Sequence, residues 1–234
     1  MTMCGAKSTV EATMEMMTLF TQSVARGAPN KWIVGDLPFL SCRQNQTIAM
    51  RSIMALMQAG AHAVKLEGCD GNLELIAHCV NSGVPVMGHL GLTPQSVNVM
   101  GGYKVQGKTK QAATRIIKEA RQLQEAGCFA LVLECVPEDL AKEITEDLAI
   151  PTIGIGAGVH TSGQVLVLQD LLGMNLDFRP KFVKPYLSGA DLMLDAMNQY
   201  AKEVETQTFP SDEYSFQIKA KPDMNQTKEE EIVE

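Results

Sequence analysis

The sequence predicts an α/β fold in which a parallel sheet curls into a (β/α) barrel. Short, continuous apolar runs alternate with longer amphipathic ones, the pattern of strands covered on both faces and each followed by a helix. The length, 234 residues, suits one domain of barrel size. The chain also echoes itself: AGAHAVKLEG (59–68) parallels AGCFALVLEC (126–135), and GVPVMG (83–88) then parallels AIPTIG (149–154). A recurring strand–helix–strand unit is what a pseudo-symmetric barrel requires. The echo places Glu67 and Glu134 at equivalent strand positions.

The first amphipathic stretch, 10–26, predicts a helix leading into the strand KWIVGDLPF (31–39). A helix over 44–59 precedes HAVKLEG (62–68), and one over 72–82 precedes VPVMGHLG (84–91). Thr93-Pro94 then reads as an N-cap and first turn closed near Gly101, and GGYKVQG as an ordered lid or binding wall. The helix over 109–126 closes at Gly127 and leads into CFALVLECV (128–136). Pro137 reads as the first-turn proline of the next helix, 137–148. PTIGIGAG (151–158), a helix over 165–172, KFVKPY (181–186) as the sixth strand and a helix near 189–205 complete the series. Residues 1–205 are therefore read as the barrel domain. Residues 206–234, polar and without apolar periodicity, are read as a tail that is disordered toward its end.

Composition narrows the function classes. A net charge of −7 and a pI near 5.2 argue against nucleic acid or an acidic membrane as the main partner. No apolar run approaches the roughly 20 residues of a membrane helix, and MTMCGAKSTV lacks a basic-then-apolar leader pattern. The six cysteines form no C-x-x-C pair, so reduced thiols in a reducing compartment are expected. That compartment is the cytoplasm, or a mitochondrial matrix if a targeting segment has been lost.

Polarity collects where the strands end. Asp36 ends WIVGD, Lys65 and Glu67 share one face of AVKLE, His89 ends VPVMGH, and Glu134 ends ALVLE. In parallel α/β folds, ligands bind at the C-terminal strand ends, so these five side chains are expected in one pocket. Each has a plainer reading: Asp36 starting a turn, Lys65 and Glu67 as a structural ion pair, His89 as a core histidine. Glu134 resists such a reading, because burying a lone carboxylate among Leu and Val costs several kcal/mol. The set suits one chemistry. Asp36 and Glu67 offer hard oxygens to magnesium. A 2-oxo acid chelated there, balanced by Lys65, loses a proton to Glu134 and leaves a stabilised enolate.

GHLGLTPQSVN, GGYKVQG, AVKLEG, LVLECVP, IPTIGIGAG and PKFVK, taken together, resemble the ketopantoate hydroxymethyltransferase family over roughly residues 4–216. The resemblance implies a (β/α)8 barrel of the TIM type, a homo-oligomer (typically a decamer) and a dependence on Mg²⁺ or another divalent metal. It implies transfer of a hydroxymethyl group from 5,10-methylenetetrahydrofolate to 3-methyl-2-oxobutanoate, giving ketopantoate. By resemblance Asp36 binds metal and substrate, Glu67 metal, Lys65 and His89 substrate, and Glu134 accepts the proton. Folate is expected near the site without an assigned contact. Family members open with a further strand–helix–strand unit ending in Gly-Asp-Ser-Leu-Gly, which this sequence does not contain. Six strand candidates where closure needs eight agree, so an incomplete barrel lacking its first two strands is expected, weakly active or inactive by itself and poorly folded. Lys7, Gln169 and Ser162 stand where the resemblance leads one to expect Asp, His and Asp. Two other readings are an inactive short form that binds partners through the retained oligomer surface, and a related metal-dependent 2-oxo-acid C–C lyase or mutase. The latter leaves GHLGLTPQSVN and GGYKVQG unexplained.

Overall fold

Six parallel strands join in chain order into one sheet: β1 (Val34–Asp36), β2 (Ala63–Lys65), β3 (Val86–Gly91), β4 (Ala130–Glu134), β5 (Thr152–Ile155) and β6 (Gly163–Gln164). The computed structural model describes residues 4–176 and 179–217. Between the strands run α1 (Met14–Gly27), α2 (Gln46–Gln58), α3 (Leu73–Asn81), α4 (Lys110–Glu125), α5 (Glu138–Asp147) and α6 (Leu168–Leu171). The sheet curls as part of an (α/β) barrel, and among the described residues β1 and β6 are its edges. The chain divides into two units, up to Leu187 and from Ser188. The second contains α7 (Gly189–Glu205), where Tyr200, Phe209 and Tyr214 make successive ring contacts at 5.5 and 6.0 Å. Residues 218–234 of the expected polar tail lie outside the described residues.

Side-chain alternation divides the sheet into two chemistries. Val64, Leu66, Val86, Leu90, Leu131 and Leu133 share one parity and pack with Ile53 and Leu56 of α2, Ile76 of α3, Leu123 of α4 and Ile144 of α5 in one buried cluster. The other parity carries Asp36, Lys65, His89 and Glu134. Helix starts are set locally: Asn45 Oδ1 accepts from the Ile48 N–H at 2.9 Å, and Thr109 Oγ1 from the Ala112 N–H at 3.2 Å. Gly127, at φ +100°, closes α4 as expected.

Three local expectations are corrected. KFVKPY is not a strand: Val183 donates to the Pro180 carbonyl in a turn, and Val183 is the one side chain of the run in the buried core. The sixth strand is Gly163–Gln164 instead, paired as Ile153↔Gly163 and Gly154↔Gln164. Two residues without an apolar side chain leave no periodic signal. Pro137 is the N-cap of α5 rather than its first helical residue, with ψ at 141° and its carbonyl accepting from Ala141. Thr93 precedes a single 3₁₀ turn, Pro94–Ser96, but its hydroxyl does not cap it.

Candidate active site

Strand register gathers the polar parity at one end of the sheet. Asp36 pairs with Lys65 across β1–β2, and Lys65 with Met87 across β2–β3, which puts His89 one inward step further along β3. His89 pairs with Val132, two residues before Glu134. Leu66 and Gly68 continue the ladder by donating to the carbonyls of Met87 and His89, so Glu67 projects inward as well. All five predicted residues meet there.

Lys65 is the hub. Its Nζ lies 2.7 Å from Asp36 Oδ1, 3.8 Å from Glu67 Oε1 and 3.3 Å from His89 Nδ1. Burial opposes its charge, but Asp36 and Glu67 outweigh that and raise the Lys65 pKa. An ammonium only donates, so Nδ1 of His89 accepts and its proton sits on Nε2. Nε2 lies 3.2 Å from Glu134 Oε2, off the hydrogen-bonding direction. Burial, with Lys65 adding to it, pushes the His89 pKa down to about 3, so the imidazole is neutral at working pH. His89 is thus a buried histidine inside the polar cluster, bonded to the Lys65 ammonium rather than to a core carbonyl.

The two glutamates differ in support. Each is pushed up to about 7, with burial the main cause and Lys65 partly opposing it. Glu67 also accepts the Gln95 N–H at Oε2, 3.0 Å away, and turns Oε1 toward Lys65 and His89. Glu134 has His89 beside it, Nε2 to Oε2 at 3.2 Å, and its side chain is largely buried, 16% exposed. A carboxylate poised near neutrality can take a proton from carbon.

The segment after β3 is stitched over this end of the sheet. Leu92 donates to the Glu134 carbonyl and Gln106 to that of Cys135, both at 2.8 Å, and Gln95 Nε2 donates to the Leu37 carbonyl at 2.7 Å. Gly91, at φ +89°, allows the approach, since a Cβ there would run into the Glu134 carbonyl. Below Glu67, the fully buried Asn72 donates to the carbonyls of Glu67 and Gly68 at 3.0 Å each, and Arg43 reaches the carbonyls of Glu67 and Asp70. Sequence reasoning missed Gln95, Asn72 and Arg43. Their side chains act on backbone atoms, and only their place beside motif residues could have flagged them.

As donors, Asp36 and Glu67 fit a hard divalent cation that keeps water or takes ligand oxygens at its other positions. Among the described residues no group of three or more His, Cys, Asp or Glu side chains is arranged to hold a metal by itself. A cation near Glu67 Oε1 would offset the burial that raises this carboxyl. Of the residues that depart from the resemblance, Ser162 bonds with Thr152, its Oγ accepting the Thr152 N–H at 3.2 Å. Gln169 is buried, and Lys7 is exposed with its N–H on Glu11. A separate apolar cavity of about 650 Å³, lined by Met50, Met54, Met57 and His78, lies between α2 and α3.

Comparison with known proteins gives the family and the fold. The family model for ketopantoate hydroxymethyltransferase matches residues 1–212. The 3-methyl-2-oxobutanoate hydroxymethyltransferase of Bdellovibrio bacteriovorus is 57% identical over 216 residues, covering 92% of this chain and 82% of the relative. The protein of that name from Francisella tularensis subsp. tularensis is 56% identical over the same spans. Among solved structures, oxaloacetate acetylhydrolase with 3,3-difluorooxalacetate matches with a TM-score of 0.52 at 12% identity, over 88% of this chain and 80% of that one. 2,3-Dimethylmalate lyase, of the PEP mutase/isocitrate lyase superfamily, matches with a TM-score of 0.50 at 13% identity, over 88% and 71%. At such identities the two structures speak for the barrel-type fold alone.

Proposed function

The chain belongs to the ketopantoate hydroxymethyltransferase family, and from that premise we propose that it moves a hydroxymethyl group from 5,10-methylenetetrahydrofolate to 3-methyl-2-oxobutanoate, forming 2-dehydropantoate. The observation that carries the reading is the convergence of Asp36, Lys65, Glu67, His89 and Glu134 on one inward-facing end of the sheet.

Each residue has a separate task. Lys65 holds the substrate's carboxylate and keto oxygens by charge, and Asp36 orients the same end of the molecule. His89 offers its Nε2 proton to substrate while remaining neutral itself. Glu134 removes the proton from C3, and the electron pair left behind forms a bond to the donor's one-carbon unit. One water supplies the hydroxyl oxygen, both carbon–nitrogen bonds to the donor break, and tetrahydrofolate leaves with the proton from water and the one taken from C3. Until then the C3 proton resides on Glu134, whose pKa of about 7 lets it be held and released near neutrality. Asp36 and Glu67 would hold the divalent cation, which supplies the positive charge that stabilises an enolate. The segment 92–107 lies over this end of the sheet, held by the bonds of Leu92, Gln95 and Gln106. We place the enzyme in the cytoplasm as a homo-oligomer. The relatives above are bacterial, which gives the mitochondrial alternative no support.

The test is direct. Purified chain with Mg²⁺ and 3-methyl-2-oxobutanoate in D₂O should exchange the C3 hydrogen measurably, if weakly, above the rate in buffer with Mg²⁺, followed by proton NMR. Adding methylenetetrahydrofolate should give 2-dehydropantoate by mass spectrometry. Exchange at the buffer rate overturns the reading.

A further inference from the structure

We infer that Gln95 is a positioning residue that braces the two candidate metal carboxylates against each other. This inference rests on the reading of Asp36 and Glu67 as the cation's ligands.

Gln95 touches both arms of that pair. Its backbone N–H donates to Glu67 Oε2 at 3.0 Å, which occupies one carboxylate oxygen and leaves Oε1 toward the centre of the site. Its side-chain Nε2 donates to the carbonyl of Leu37, the residue after Asp36, at 2.7 Å. The first bond orients Glu67; the second fixes the end of β1 from which Asp36 projects. Because both donors belong to one residue in a short 3₁₀ turn, Pro94–Ser96, their spacing is set by a single side chain. β1 and β2 pair over only three residues, Val34↔Ala63 to Asp36↔Lys65, and Leu37 donates to the Lys65 carbonyl just beyond them. Besides the brace, the separation of Asp36 and Glu67 is held by these backbone bonds and by Lys65 Nζ, 2.7 Å from Asp36 Oδ1 and 3.8 Å from Glu67 Oε1.

The turn carrying Gln95 is itself anchored. Leu37 is 2% exposed and Thr93 5%, so the brace ends in packed structure at both sides. Leu92, three residues earlier, bonds to the Glu134 carbonyl at 2.8 Å, which ties the same turn to the strand carrying the candidate base. Partners of this outer kind orient metal ligands, and losing one commonly weakens metal binding ten- to a hundred-fold.

The experiment measures binding of Mg²⁺ alone by calorimetry, in the full chain and in Gln95→Met. Methionine keeps the length of the side chain and the backbone N–H but cannot donate to Leu37. The expected result is roughly ten- to a hundred-fold weaker Mg²⁺ binding, with the metal-free melting temperature shifted by no more than a few degrees. A second measurement needs no variant: saturating Mg²⁺ should slow amide hydrogen exchange at Thr93 and Gln95 to Val97 (Pro94 has no amide hydrogen) of the unaltered chain and leave α5 unaffected. Equal Mg²⁺ affinity in the two proteins overturns the inference and leaves the proposed function standing. Unchanged exchange at Thr93 and Gln95 to Val97 overturns it too, including where Gln95→Met fails to fold. No Mg²⁺ binding by the unaltered chain overturns the reading on which it rests.

Discussion

Replacing Glu134 by glutamine should make the protein more stable and far less active, and the two effects have one cause. Burial carries the Glu134 carboxyl from its ordinary 4.5 to about 7, with the Lys65 charge only partly opposing the rise. The folded pKa is therefore above the unfolded one. The folded state retains a proton that the unfolded chain releases between pH 4.5 and 7, so the wild type loses stability as pH climbs through that window. The size of the shift corresponds to about 3 kcal/mol at pH 8. Glutamine has no proton to lose, so Glu134→Gln should exceed the wild type by up to about 3 kcal/mol at pH 8, and the gap should close near pH 4. Losing the base should slow C3 exchange of 3-methyl-2-oxobutanoate by roughly 10²–10⁴. Urea unfolding at both pH values, with proton NMR exchange in D₂O, reads both quantities. A variant that exchanges at the wild-type rate, or that is less stable at pH 8 than at pH 4 relative to the wild type, refutes the assignment of a desolvated base.

Glu134 and Glu67, both pushed up to about 7, set the pH profile: wild-type exchange should fall at least roughly tenfold per pH unit below about 7 and level off above it, with no added step from His89, whose pKa is pushed down to about 3. A stopped-pH NMR series checks it. Lys65→Met removes the shared counter-charge of Asp36 and Glu67 and should cost about 3–5 kcal/mol at pH 8, less at pH 5, where Glu67 is protonated. Urea midpoints at the two pH values measure it. Asn72→Ala should cost about 1–3 kcal/mol by stranding the carbonyls of Glu67 and Gly68. Asn72→Asp should cost more, because it sets a buried carboxylate against two carbonyl oxygens. Leu131→Ala, at a fully buried position of β4, should cost about 2–5 kcal/mol in the same assay while sparing Mg²⁺ affinity.

The layered fold and the identity of the polar cluster were legible in the amino-acid order. Among the described residues, five of the six expected strands and all seven expected helices, with ends displaced by a few residues, lie where apolar periodicity changes, because that periodicity records which side chains leave water. Asp36, Lys65, Glu67, His89 and Glu134 stood out because charge at the end of an apolar run is costly without a partner. Tertiary structure decided the rest. Gly163–Gln164 completes the sheet through backbone bonds to β5, and KFVKPY turns away; hydrogen-bonded backbone carries no residue signature that alternation could reveal. Register between distant strands decided that Lys65 Nζ faces Asp36, Glu67 and His89 at once, and so which proton His89 carries. The bonds from Gln95 and Arg43 end on backbone or carboxylate atoms 24 to 58 residues away, whereas Asn72 reaches back only four and five. Which donor reaches them depends on how the loops close over the strand ends, and no local pattern encodes that.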